Sequence, residues 1–233
     1  MNKNSTLLYF FSLALLLSNC DSSQGAKKSL TKSDILENKN DTLNVLNDIK
    51  PLLKDGDVNA VVEIPAGTIN KWELDKLTGE IRWEMIDKKP RVINYIGYPG
   101  NYGMIPQTLL STEKGGDGDP LDILILGPPV ERSSILKCNI IGVLYLADNG
   151  EQDDKLIAIS SNSPMYGVES IDELNLNYRG VTEIVKLWFL NYKGAGKMKS
   201  KGFGNKQAAI KILTAAMNEY QLIDTKHNNE YDK

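Results

Sequence analysis

The chain has 233 residues, 41% of them hydrophobic and 24% charged, and carries a net charge of −3. That is ordinary globular usage with room for one sizeable domain or two small ones; it excludes a mainly disordered, a collagen-like or a polytopic membrane chain. The slightly acidic balance points to no nucleic-acid partner. The single histidine, His227, excludes Ser-His-Asp hydrolases, histidine-rich zinc sites and phosphohistidine chemistry. Two cysteines, Cys20 and Cys138, cannot build a disulfide framework or a four-cysteine zinc site, so any metal must be held mainly by oxygen.

In chain order, the first element is an address. Lys3 supplies a positive start, and Leu7 to Leu17 is apolar apart from Ser12. Such a run suits a signal-peptide core and is too short to span a bilayer comfortably. It ends at Leu17-Ser18-Asn19-Cys20, which resembles a bacterial lipoprotein box; Asn19 departs from the usual small residue there. The resemblance implies cleavage before Cys20 and lipidation of its sulfur. Residues 21–33 are small and polar and read as a tether. Residues 34–53 mix apolar and polar positions in a way that fits helix or loop.

The body begins with a β-rich run, Val58 to Ile64, stopped by Pro65-Ala66-Gly67. Trp72 and Leu74, then Ile81, Trp83 and Met85, alternate with polar residues across Thr78-Gly79, which predicts a hairpin. Leu121 to Leu126, Ser134 to Leu146 and Lys155 to Ile159 read as further strands, with Gly142 a candidate bulge. Val181, Ile184, Val185 and Trp188 have helical spacing. So do Ile210, Leu213, Met217 and Tyr220, after a candidate cap at Asn205. Strands first and helices later predict an α+β fold, mainly β, with a barrel or curled sheet.

Two acidic clusters interrupt this pattern: Gly116 to Asp122, GDGDPLD, and Asp148 to Lys155, DNGEQDDK. Crowded carboxylates repel without counter-charge. An isolated cluster of this kind is usually a solvated turn; two of them flanking neighbouring strands weaken that reading and leave convergent ligands as the alternative. Neither has EF-hand spacing. Convergent aspartates suit Mg²⁺, a hard ion that prefers oxygen and phosphate company. A phosphate ligand needs cations too; Lys71, Arg91, Lys155 and Lys193 are candidates, each also readable as a surface residue. Tyr98, Tyr102 and Tyr192 could donate hydroxyls. Residues 194–200, GAGKMKS, fail the P-loop pattern, and 202–204, GFG, are no dinucleotide fingerprint; both read as loop glycine.

These motifs, with VVEIPAG (61–67), KWELD (71–75), YPGNYG (98–103) and NYK (191–193), resemble in order and spacing the soluble family I inorganic pyrophosphatases over roughly 58–222. The resemblance implies Mg²⁺-dependent hydrolysis of pyrophosphate to two orthophosphates by a metal-activated water, with several ions per site. It assigns Asp117, Asp122 and Asp153 as metal ligands, joined by Asp148 and Glu63. Asp119 becomes the base. Lys71, Arg91, Tyr102, Lys155, Tyr192 and Lys193 grip substrate, with Glu73 and Tyr98 beside them. Arg82 competes with Arg91 for the substrate arginine. It further implies a twisted, OB-like five-stranded barrel with two flanking helices, and a homo-oligomer, hexameric in bacterial members. The expected organisation is a signal peptide at 1–19, a lipidated cysteine with tether and extension at 20–57, a catalytic domain at 58–224 and a polar tail at 225–233. The expected location is the bacterial cell envelope, lipid-anchored and facing the periplasm or the surface. Two other readings are a surface lipoprotein using this scaffold for binding, and hydrolysis of larger polyphosphates.

Overall fold

The first strand, β1 (Val58–Ile64), coincides with the VNAVVEI run and ends where Pro65 removes a backbone donor. The structure is a computed structural model and describes residues 43–114 and 116–231. The expected signal peptide, Cys20 and tether lie outside the described residues. Strands β2 (Trp72–Asp75) and β3 (Glu80–Trp83) form the predicted hairpin, with Trp72 opposite Trp83. A small ribbon follows, β4 (Met85–Ile86) with β5 (Lys89–Pro90). Then come β6 (Asn101–Met104), β7 (Asp122–Leu126), β8 (Ile135–Asp148), β9 (Glu151–Gln152), β10 (Lys155–Ser160) and β11 (Met198–Asn205).

The hydrogen-bonded path runs β1-β6-β7-β10-β8 and returns from β8 to β1, so five strands close into a ring. Only β7 and β10 run parallel in it. Two irregularities shape the ring. On β1, Val62 faces Gly103 and Ile64 faces Tyr102, so Glu63 is bulged out of the ladder. On β8, Gly142 faces Ile157 and Ile140 faces Ala158, a bulge at the predicted glycine. A Cβ on Gly142 would lie 2.4 Å from Ile171, and one on Gly103 would lie 1.9 Å from the Val61 carbonyl. Glycine is therefore required at both by close approach.

Among the described residues three α-helices pack outside, where two were expected: α1 (Ile171–Asn177), α2 (Val181–Asn191) and α3 (Lys206–Tyr231). The strands are buried on both faces and carry two apolar layers. Leu124, Ile157 and Ile159 pack towards α1 and α2, through Leu174, Val185, Trp188 and Phe189. Ile123, Ile125, Leu156 and Ala158 pack towards Ala209, Leu213 and Ala216 of α3. Asn205 caps α3, its Oδ1 accepting from Ala208 N at 3.0 Å. The helix runs on to Tyr231, into the residues read as a polar tail. Gly202 and Gly204, read as loop, lie within β11, which pairs antiparallel with β8. Within 43–53, the choice left open between helix and loop resolves as turns, with Val45 and Ile49 buried against Val61 and Met104. No helix among the described residues is long and apolar enough to cross a membrane.

Candidate active site

The ends of several strands open onto one polar cavity of about 420 Å³. Glu63 reaches it from the β1 bulge, Lys71 and Glu73 from the β2 hairpin, and Tyr102 from β6. Asp122 is the first residue of β7 and Lys155 the first of β10. Arg91 comes from the segment after β5, and Tyr192 and Lys193 from the end of α2. With Asp119 and Asp153, all of these line the cavity. Asp148 borders an adjoining hollow shared with Arg91, Tyr192 and Lys193. Asp117 is exposed and shapes the acidic loop, its Oδ1 accepting from Asp119 N at 2.9 Å. Leu110 stitches that loop down, donating to the Asp119 carbonyl and accepting from Gly118 N, both at 2.8 Å. Tyr98 lies behind the site, buried and packed on Trp188 and Tyr102 with centroids 4.3 and 5.2 Å away.

Several acids in and around the cavity are ion-paired. Buried Lys155 bridges Asp122 at 2.5 Å and Asp153 at 2.6 Å. Lys193 pairs with Asp148. Lys76 holds Asp119 at 2.5 Å. Burial alone would lower the Lys155 proton affinity, but Asp122 and Asp153 reverse this and hold it above the ordinary lysine range. Glu63 has no ion pair among the described residues. It is buried, and its Oε1 accepts from Leu74 N at 2.9 Å. Burial pushes its carboxyl up to about 8, Lys71 opposing and Asp122 reinforcing the shift. Burial also raises the hydroxyls of Tyr98 and Tyr102 well above the usual range, so both stay protonated donors.

Arg91 lies in the cavity wall with Nη1 on both oxygens of Glu84, at 2.7 and 2.9 Å. Arg82 is exposed on the hairpin and pairs with Asp75 and Glu80, away from the cavity. Sequence reasoning missed Lys76 and Glu84, which also line the site. The strand period carries no signal for the second: alternation puts Glu84 on the exposed face of Glu80 and Arg82, and only Arg91 folding back onto it brings it to the cavity.

Among the described residues no three acids are gathered into a preformed metal site. The donor set nevertheless fits a hard cation. It is all carboxylate oxygen, and buried Glu63 stays protonated near neutral pH unless positive charge joins it.

The family model for inorganic pyrophosphatase matches residues 60–221. The chain belongs to that family. It is similar to the inorganic pyrophosphatase of Campylobacter jejuni, 34% identical over 168 residues that cover 70% of this chain and 92% of that one. The solved inorganic pyrophosphatase of Helicobacter pylori is 33% identical, with a TM-score of 0.64 over 75% of this chain and 99% of that one. The N-terminally truncated vacuolar soluble pyrophosphatase of Trypanosoma cruzi, solved in complex with PPi, is 25% identical with a TM-score of 0.71, covering 77% and 78%. The pyrophosphatase fold thus accounts for the ring of strands.

Proposed function

We infer that this pyrophosphatase hydrolyses inorganic pyrophosphate to two orthophosphates with Mg²⁺. The observation that carries the reading is the mouth of one 420 Å³ cavity where carboxylates alternate with lysine and arginine and no histidine or cysteine takes part. Phosphoryl transfer needs positioning and charge stabilisation above all, and this wall supplies both. Lys71, Arg91, Lys155, Tyr192 and Lys193 bind substrate oxygens, and Tyr102 donates its hydroxyl. Glu84 orients Arg91 by holding its guanidinium. Asp122, Asp153, Asp148, Asp117 and Glu63 would hold Mg²⁺, which supplies neutralising charge and an acidified water. Asp119 accepts the proton of the attacking water, and Glu73 and Tyr98 support the wall. Phosphate release from pyrophosphate, with Mg²⁺ and after chelation, tests the reading; turnover in rigorously metal-free protein refutes it.

The location is a separate proposal. The leader ending at Leu17 to Cys20 supports a cell-envelope enzyme anchored through a diacylated Cys20, with the tether holding it off the membrane. Mass spectrometry of the mature N-terminus tests this: an intact Met1 or an unlipidated Cys20 defeats it. Exposed Ile96, Ile184 and Leu187 support a homo-oligomer, such as a hexamer, which sedimentation would test.

A further inference from the structure

Arg132 lies between β7 and β8, outside every motif that carries the family resemblance. Its guanidinium carbon sits 3.4 Å from the ring centroid of Trp72. Trp72 in turn stacks on Trp83, with centroids 5.1 Å apart and planes 24° from parallel. Arg132 forms no ion pair among the described residues, and its buried Nε has no hydrogen-bond partner there. Its built contact is therefore the indole face, where a planar cation is attracted by the ring quadrupole. The loop that presents it is fixed. Ser133 N donates to the Val62 carbonyl at 2.8 Å, and Val62 N donates to Ser134 at 2.9 Å. Ser133 takes a left-handed φ of 65° to make this turn, which a residue other than glycine adopts only under constraint.

The other end of the stack leads to the cavity. Trp83 Nε1 donates to the Arg91 carbonyl at 2.8 Å. The same carbonyl accepts from Lys71 N at 3.1 Å, and Glu84 N donates to the Lys71 carbonyl at 3.0 Å. Lys71, Glu84 and Arg91 are thus tied to one backbone node that Trp83 anchors. We propose that Arg132 is a positioning residue, which by stacking on the Trp72–Trp83 pair holds Lys71 and Arg91 at the substrate wall. This rests on the pyrophosphatase reading and adds to it a residue that touches neither substrate nor metal.

The test uses the full chain, pyrophosphate and Mg²⁺, with far-UV circular dichroism for the exciton couplet of stacked indoles. Arg132→Ala should raise KM about five- to tenfold with kcat within about twofold, because contacts made equally in ground and transition states are weakened. The couplet should weaken with it. Arg132→Lys should resemble Arg132→Ala, since an ammonium cannot stack flat. Trp72→Leu should raise KM similarly, and adding Arg132→Ala to it should cost nothing more. Wild-type KM with an intact couplet in Arg132→Ala, rescue by lysine, or additive double-variant effects would each overturn the role. A fall in kcat and melting temperature at unchanged KM would mean a merely structural part and overturn it too. A wild type that leaves pyrophosphate unhydrolysed refutes the functional reading, whereas active variants with wild-type KM refute the positioning role alone.

Discussion

Glu63→Gln should remove a defined pH dependence from the metal-free protein. The unfolded chain releases this proton near 4.5, whereas the folded chain keeps it until about 8 because the carboxyl is buried at the β1 bulge. The folded pKa is the higher one. The group's contribution is therefore fully present below pH 4.5 and is lost as pH rises from there to about 8. Each tenfold change in proton affinity is worth about 1.4 kcal/mol, so the shift amounts to about 5 kcal/mol. For a domain of this size that corresponds to a melting-temperature change of about 10–20 °C. Glutamine keeps an oxygen for Leu74 N and carries no proton to lose. Thermal unfolding in chelator across pH 4 to 9, followed by circular dichroism, should show wild type falling more steeply than the variant by this amount. Mg²⁺ at pH 8 should then stabilise wild type more than Glu63→Gln, since only wild type offers a carboxylate for the cation to charge. Parallel pH profiles for the two proteins in chelator would refute the reasoning.

Lys155→Met should leave Asp122 and Asp153 facing each other without their shared cation. A loss of about 3 kcal/mol in chelator is expected, much of it recovered with Mg²⁺; identical urea midpoints for variant and wild type would count against the bridge. Arg91→Lys should raise KM for pyrophosphate clearly, because a guanidinium held by Glu84 is not replaced by an ammonium, while Arg82→Lys should leave KM unchanged. Steady-state kinetics with the opposite pattern would move the substrate arginine to the hairpin face. Burial pushes the Cys138 thiol up to about 12, so alkylation at neutral pH should modify it only after unfolding. Peptide mapping that finds it labelled in the native protein would contradict its burial.

Much of this architecture is legible in the sequence where residues obey a single period. Val58–Ile64, the Trp72–Trp83 hairpin and the apolar runs of β7, β8 and β10 announce themselves because side-chain chemistry and backbone preference agree. Strand β11 does not, since Met198–Asn205 is rich in lysine and glycine; its extended form comes from the ladder β8 offers, a tertiary cause. Helix α1 is too short for periodicity, but it carried a readable signal: Ser170 and Glu173 have capping-box spacing, and Ser170 Oγ accepts from Glu173 N at 3.1 Å. In the site, the acidic clusters were visible because crowded carboxylates are costly. Glu84 was not, because one acid after a tryptophan has no pattern until Arg91 folds back onto it. Arg132 was equally silent, as its partner lies sixty positions away.

The closure of the ring also sets a kinetic order on how the chain acquires its shape. Val58 pairs with Cys138, 80 positions later (138 − 58), so β1 waits for β8 before its second edge is covered. Closing so long a loop spends chain entropy before any ladder bond returns it. Folding dominated by such distant pairings proceeds in milliseconds to seconds, slower than a helical bundle of equal size. During synthesis β1 and β6 emerge well before β8, leaving apolar strand edges open to wrong partners. The 14-residue β8, which pairs with β1, β9, β10 and β11, is thus both the frame of the finished molecule and the step on which its folding depends.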